Sequence, residues 1–105
     1  VTPKIWEIPV AVILWTQEGC PACEEYYPKF HRVAQRYAGC LPIIIADINQ
    51  FPGAADKYRV AATPTTMITR YGERPFFGGF LDGDAPEDRI EHLFGVAVTG
   101  LDCAV

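Results

Sequence analysis

The chemistry in this chain concentrates in Cys20-Pro21-Ala22-Cys23. Two thiols with two residues between them can close a small disulfide ring when they sit at the start of a helix. The backbone N–H groups left without partners there stabilise a thiolate on the first sulfur. Cys20 is therefore the candidate nucleophile. Cys23, one turn into the helix and expected to be less accessible, would attack the mixed disulfide that Cys20 forms with a substrate and release the reduced partner. Two competing readings are a pair of buried structural cysteines and half of a zinc site. Zinc asks for a second closely spaced pair of ligands, and His31 and His92 are too scattered to provide it. No metal and no bound cofactor are expected.

The elements that must hold this motif follow from the residue pattern. Val10 to Trp15 is a β-branched and aromatic run ended by polar residues and Gly19, which reads as a strand covered on both faces, of the kind found in parallel sheets. From Cys23 to Ala38 the apolar residues Tyr26, Tyr27, Phe30, Val33, Ala34 and Tyr37 recur at three- and four-residue steps, opposite Glu24, Glu25, Arg32, Gln35 and Arg36. This predicts an amphipathic helix with Gly39 as a left-handed stop and with Pro28 as a kink. Leu41 to Ile48 repeats the buried-strand pattern, so strand, helix and strand form a crossover with parallel strands.

Pro52 to Tyr58 reads as a short helix opened by proline. Thr65 to Arg70, a turn at Tyr71-Gly72-Glu73 and Pro75 to Phe80 read as an antiparallel hairpin, with Pro75 at an edge or strand start. Asp84 has the spacing of an N-cap, with Glu87 three residues on, for a closing helix that buries Ile90, Leu93, Phe94, Ala97 and Val98. Trp15, Tyr26, Tyr27 and Phe30 could line a partner groove, but their spacing fits packing better. Cys40 and Cys103 each lie just beyond a helix that follows a strand. The two helix ends fall at one end of the sheet, so these thiols could approach each other; otherwise they are inert.

The 105 residues are half hydrophobic and 12% aromatic, enough to bury a core in one domain spanning residues 1–105. A net charge of −4 without any Lys/Arg run argues against nucleic-acid or anionic-membrane binding. The longest apolar run, Ile8 to Trp15, contains Pro9 and falls short of the roughly 20 residues a membrane helix needs. Gln17 and Glu18 stand where a signal peptide would carry small residues. A cytoplasmic location is expected, although the chain opens on Val1 and an upstream segment is compatible with that.

With these residues in place, the chain resembles the thioredoxin superfamily from about Val10 to Val98. The resemblance rests on Trp15-Thr16-Gln17-Glu18-Gly19 ahead of the Cys20–Cys23 motif and on Pro28 five residues after the second cysteine. It continues with Asp47-Ile48-Asn49 after the second strand and Lys57-Tyr58-Arg59-Val60 before Thr63-Pro64-Thr65. It implies an α/β fold with a mixed four- or five-stranded sheet flanked by helices on both faces. It also implies a cis-proline at Pro64 facing the disulfide, and a backbone at Thr63 offered to an extended substrate, with Gly19 and Pro21 completing the groove.

The chain departs from the family pattern in several places. A buried acid usually found six residues before the first cysteine is Leu14, and the lysine that often accompanies it corresponds to Ile45. The site floor is thus apolar, and Cys23 should be a poor acid unless Glu18, Glu24 or water assists. The inner Pro-Ala resembles glutaredoxins and some disulfide-forming proteins, and Gly19 replaces a bulky aromatic.

The expected activity is dithiol–disulfide exchange with protein disulfides, in the reducing direction. Pro21 lacks an N–H and Glu18, Glu24 and Glu25 stand close by, so the Cys20 thiolate is only moderately stabilised. A monomer served by a reductase or thiol donor is expected. The alternatives are a glutathione-coupled reductase, for which no basic carboxylate site is evident, an exported disulfide donor, and a non-catalytic binding module.

Overall fold

The computed structural model describes residues 4–73, 79–81, 83 and 85–101. After a 3-10 turn at Ile5–Glu7, the elements in chain order are β1 (Ala11–Thr16), α1 (Pro21–Tyr37), β2 (Ile43–Asp47), α2 (Pro52–Lys57), β3 (Thr65–Thr69), β4 (Phe80–Leu81) and α3 (Glu87–Ala97). They build a four-stranded sheet in the order β2-β1-β3-β4. β1 runs parallel to β2 and antiparallel to β3, and β4 returns antiparallel to β3. No helix among the described residues is long and apolar enough to cross a membrane.

β1 is the axis of the molecule. Successive side chains of a strand point to opposite faces, so its apolar run feeds two cores at once. Val12 and Leu14 pack with Tyr26, Phe30 and Val33 of α1 and with Ile90, Leu93 and Phe94 of α3. Ile13 and Trp15 pack on the other face with Ala46, Met67, Ala55 and Tyr58. Each fully buried Val, Leu, Ile, Phe or Met among them stabilises the fold by about 1.5–3 kcal/mol. The α1/α3 face carries most of that, with ring contacts of Phe94 to Phe30 at 5.7 Å and to Tyr37 at 5.1 Å. Arg32 and Arg36 of α1 reach Glu87 and Glu91 of α3 along the rim, where exposure keeps the pairs weak.

Several expectations from the sequence need correction. α1 begins at Pro21, two residues before the start its apolar spacing suggests, because proline is favoured in a first helical turn where no N–H is required. Pro28 lies inside this helix, as its position in the sequence predicts. Gly39 is not left-handed: Ala38 stays right-handed and the helix closes with the Cys40 N–H on the Tyr37 carbonyl at 2.9 Å. α3 starts only at Glu87, with Pro86 as its cap residue and no side-chain cap. Asp84, the expected cap, lies outside the described residues, as do Pro75 and Cys103 and with it the approach of Cys103 to Cys40. The largest difference is β2, which the sequence reads as buried on both faces. Among the described residues it has β1 as its one neighbour in the sheet, and its Ile45 is 52% exposed.

Candidate active site

The chain leaves β1 through Gln17 and Glu18, both exposed, and turns at Gly19, whose φ of +75° is a conformation that side-chain-bearing residues rarely adopt. Cys20 then takes the N-cap position of α1 with extended backbone angles, φ −99° and ψ 103°. An N-cap side chain ordinarily accepts a hydrogen bond from the backbone of the first turn. Here that acceptor is sulfur: the Cys23 N–H donates to Cys20 Sγ at 3.1 Å. The two cysteines are joined in a disulfide, with their Cα atoms 5.2 Å apart.

The facing half of the site comes from the loop before β3. The Thr63–Pro64 peptide bond is cis. The Thr63 hydroxyl donates to Cys20 Sγ at 3.5 Å, and the Thr63 carbonyl oxygen lies 3.7 Å from the same sulfur. In the disulfide that sulfur carries no proton, so the carbonyl is a contact rather than an acceptor; in the thiol form it is a place for the proton to point.

Behind Pro64 stands Gly83. A Cβ on it would meet both Pro64 Cδ and the Pro64 carbonyl oxygen at 2.8 Å, closer than real Cβ atoms approach. Neither the Thr63 hydroxyl nor Gly83 was marked by the sequence reading. The only signal for Gly83 is a glycine in the polar stretch between the hairpin and the last helix.

The two halves are tied together under the surface. Tyr26 of α1, 1% exposed, bonds through its hydroxyl to Thr66 Oγ1 of β3 at 2.7 Å. Burial pushes the Tyr26 hydroxyl above the usual tyrosine value, and the bond to Thr66 offsets part of that rise. Trp15, a candidate for the groove, is instead buried and donates its indole N–H to Met67 Sδ at 3.3 Å. Tyr26 and Phe30 are buried too, whereas Tyr27 is 41% exposed.

Beside the disulfide lies a cleft of about 370 Å³ that brings Gly19, Cys20, Cys23 and Pro64 together with Leu14, Ile45, Tyr27, Glu18 and Glu24. Pro21 is exposed at the mouth of the motif. Leu14 and Ile45 are direct register partners on β1 and β2, so the apolar floor is a cross-strand pair. His31 stacks on Tyr27 with ring centres 5.6 Å apart, and no metal-binding group of three or more His, Cys, Asp or Glu occurs among the described residues.

The sequence pattern of the Thioredoxin family matches residues 5–93. A thioredoxin from Synechocystis sp. is 29% identical over 68 residues, covering 65% of this chain and 63% of that protein. The chloroplastic M-type thioredoxin of Spinacia oleracea is 29% identical over 68 residues, covering 65% of this chain and 37% of that protein. The aligned stretch thus spans less than two thirds of either relative. Among solved structures, oxidised thioredoxin from Plasmodium falciparum superimposes with a TM-score of 0.71 at 17% identity, covering 89% of this chain and 86% of that one. Mitochondrial thioredoxin 3 from Saccharomyces cerevisiae gives 0.70 at 21%, covering 87% and 82%. The structural likenesses establish the shared fold, and the matched pattern of 5–93, with its disulfide-linked cysteine pair, places the chain in the thioredoxin family.

Proposed function

We propose that the chain reduces disulfides in protein substrates by dithiol exchange, with Cys20 as nucleophile and Cys23 as resolving thiol. The observation that carries this reading is the convergence of two donors, the Cys23 N–H and the Thr63 hydroxyl, on Cys20 Sγ. Both favour negative charge on that sulfur and neither serves Cys23 in the same way. In the reduced protein the Cys20 thiolate attacks one sulfur of a substrate disulfide. A Cys20–substrate bond forms, the substrate disulfide breaks, and a substrate thiolate leaves. Cys23 then loses its proton and attacks Cys20 Sγ, which forms the Cys20–Cys23 bond and expels the second substrate thiolate. The substrate gains two electrons and the protein is left oxidised; an external dithiol or thiol donor restores it.

Thr63, Pro64, Gly19 and Pro21 form the surface on which an extended substrate segment lies. With Leu14 and Ile45 as the floor, no buried carboxylate among the described residues takes the Cys23 proton; the exposed Glu18 and Glu24 carboxylates in the cleft or a water molecule accept it. Resolution is therefore slower than nucleophilic attack. The reducing direction follows from a thiolate stabilised by few donors among acidic neighbours, since a strong oxidant needs its reduced form held much more firmly.

The test is trapping with a disulfide protein such as insulin. Cys23→Ser accumulates a covalent adduct through Cys20 with no turnover, and Cys20→Ser forms none. Equal trapping by both variants would overturn the assignment of roles, and turnover surviving Cys20→Ser would overturn the activity.

A further inference from the structure

The cleft beside the disulfide carries charge of one sign. Glu18, in the turn before Gly19, and Glu24, near the start of α1, both line it and both are exposed. They stand on either side of Cys20 in the chain, so negative charge reaches the reactive sulfur from the turn and from the helix. Among the described residues neither glutamate makes an ion pair; the acids that do, Glu87 and Glu91, stand with Arg32 and Arg36 on the rim between α1 and α3. No Lys, Arg or His is among the described residues that line the cleft.

Between these carboxylates the cleft is apolar. Ile45 and the Tyr27 ring, both open to solvent, line it over the buried Leu14. Two carboxylates beside an aliphatic and aromatic floor suit a side chain with a long apolar stem and a cationic head. Lysine and arginine lay their methylene stems on apolar surface while the charge stays with polar partners. A guanidinium also pairs with a carboxylate through two N–H groups and stacks on a tyrosine face. An acidic segment would bring like charges together here, and a wholly apolar one would cover the carboxylates without pairing them.

We infer that the site selects protein disulfides flanked by basic residues, with an arginine next to the substrate cysteine lying over Ile45 and Tyr27 and pairing with Glu18 and Glu24. This rests on the proposed dithiol exchange and names its substrate class. The pairing serves the reaction as well as the docking. Glu18 and Glu24 oppose negative charge on Cys20, and an arriving arginine offsets them as that sulfur attacks. The selectivity therefore belongs to the first step, in which the Cys20 thiolate bonds to the substrate sulfur, the substrate disulfide breaks and its other sulfur leaves as a thiolate. It does not depend on how the Cys23 proton is later taken up.

Adduct formation by reduced Cys23→Ser protein isolates that step. Two peptides alike except for the residues flanking their single cysteine, arginine in one and glutamate in the other, are supplied as 2-thiopyridyl disulfides. The rate of peptide transfer to Cys20 is read by mass spectrometry of the Cys20 peptide and divided by the rate for 2-mercaptoethanol, which removes the intrinsic reactivity of each disulfide. The arginine peptide should then be favoured by about fivefold or more at low salt, and the preference should shrink to less than about twofold in roughly 0.5 M NaCl. Replacing both acids, Glu18→Gln with Glu24→Gln, should remove the preference to the same extent while adducts still form. Equal rates for the two peptides, or a preference that survives both glutamine substitutions, would overturn the inference and leave the exchange reading standing. Absence of any adduct at Cys20 with either peptide would overturn the exchange reading and this inference with it.

Discussion

The two halves of the redox site are made in different ways. The motif half, Gly19 to Cys23, is local: a turn glycine, a cap position and the first turn of α1 place the sulfur within a single stretch of backbone. The facing half is assembled from distant pieces. Thr63 and Pro64 come from a loop, Gly83 from beyond the hairpin, and the Tyr26–Thr66 bond holds the two halves at a fixed spacing across 40 residues of sequence. The motif half supplies the reactive atoms. The facing half supplies the walls and one donor, and so acts on rate and stability rather than on whether the reaction occurs.

Substitutions should separate the halves in that order. Cys20→Ser should reduce disulfide exchange to the uncatalysed background in an insulin-turbidity assay without lowering thermal stability of the reduced form by more than about 1 kcal/mol. Gly83→Ala forces a methyl against Pro64, so it should destabilise the protein by about 1–3 kcal/mol in urea denaturation and slow exchange by about tenfold, with both cysteines intact. Undiminished exchange in that variant would show that the Pro64 wall does not matter to the reaction.

Tyr26→Phe leaves Thr66 Oγ1 buried without its present partner and should cost about 1–3 kcal/mol by the same measurement, while exchange at saturating substrate changes little. The same tyrosine predicts alkaline behaviour. Its pKa in the folded protein is raised above 10.0 by burial, so its contribution to stability is complete below pH 10 and is lost as pH rises through the folded value. Tyr37 and Tyr58 are raised in the same sense, again chiefly by burial. Stability should therefore fall above pH 10, with the 295 nm tyrosinate absorbance of these three buried tyrosines appearing together with unfolding. Absorbance complete before unfolding starts would contradict this. Thr63→Val removes a long hydroxyl bond to sulfur and should have the smallest effect, a fewfold slower reaction of Cys20 with a thiol reagent near neutral pH.

The difference between the halves also explains what could be read from sequence. The Cys20–Cys23 motif, the buried β1 run and the apolar stripe of α1 are local patterns, and each was legible together with the chemistry it implies. The cis bond at Pro64 and the placing of Thr63 entered only through resemblance to a family, since nothing in Thr-Pro itself distinguishes it from a loop. Gly83 and the Thr63 hydroxyl depend on contacts between segments that no local pattern encodes. β2 differs for a related reason: Leu41 to Ile48 has the composition of a strand covered on both faces, and composition does not say what packs over each face, where Ile45 is 52% exposed. Gly39 failed because helix ends have more than one solution, and the 3-10 turn from Tyr37 to Cys40 satisfies the last carbonyls without a left-handed residue.

The central claim is that the Cys20–Cys23 pair is a reducing dithiol whose thiolate is only moderately stabilised. Redox equilibration of the pair against glutathione, followed by thiol alkylation and mass spectrometry confined to the Cys20–Cys23 peptide, measures this directly. The account predicts a two-electron couple nearer the roughly −270 mV of reducing thioredoxins than the roughly −120 mV of strong periplasmic oxidants. A value above about −150 mV would contradict it and make the protein a donor of disulfides.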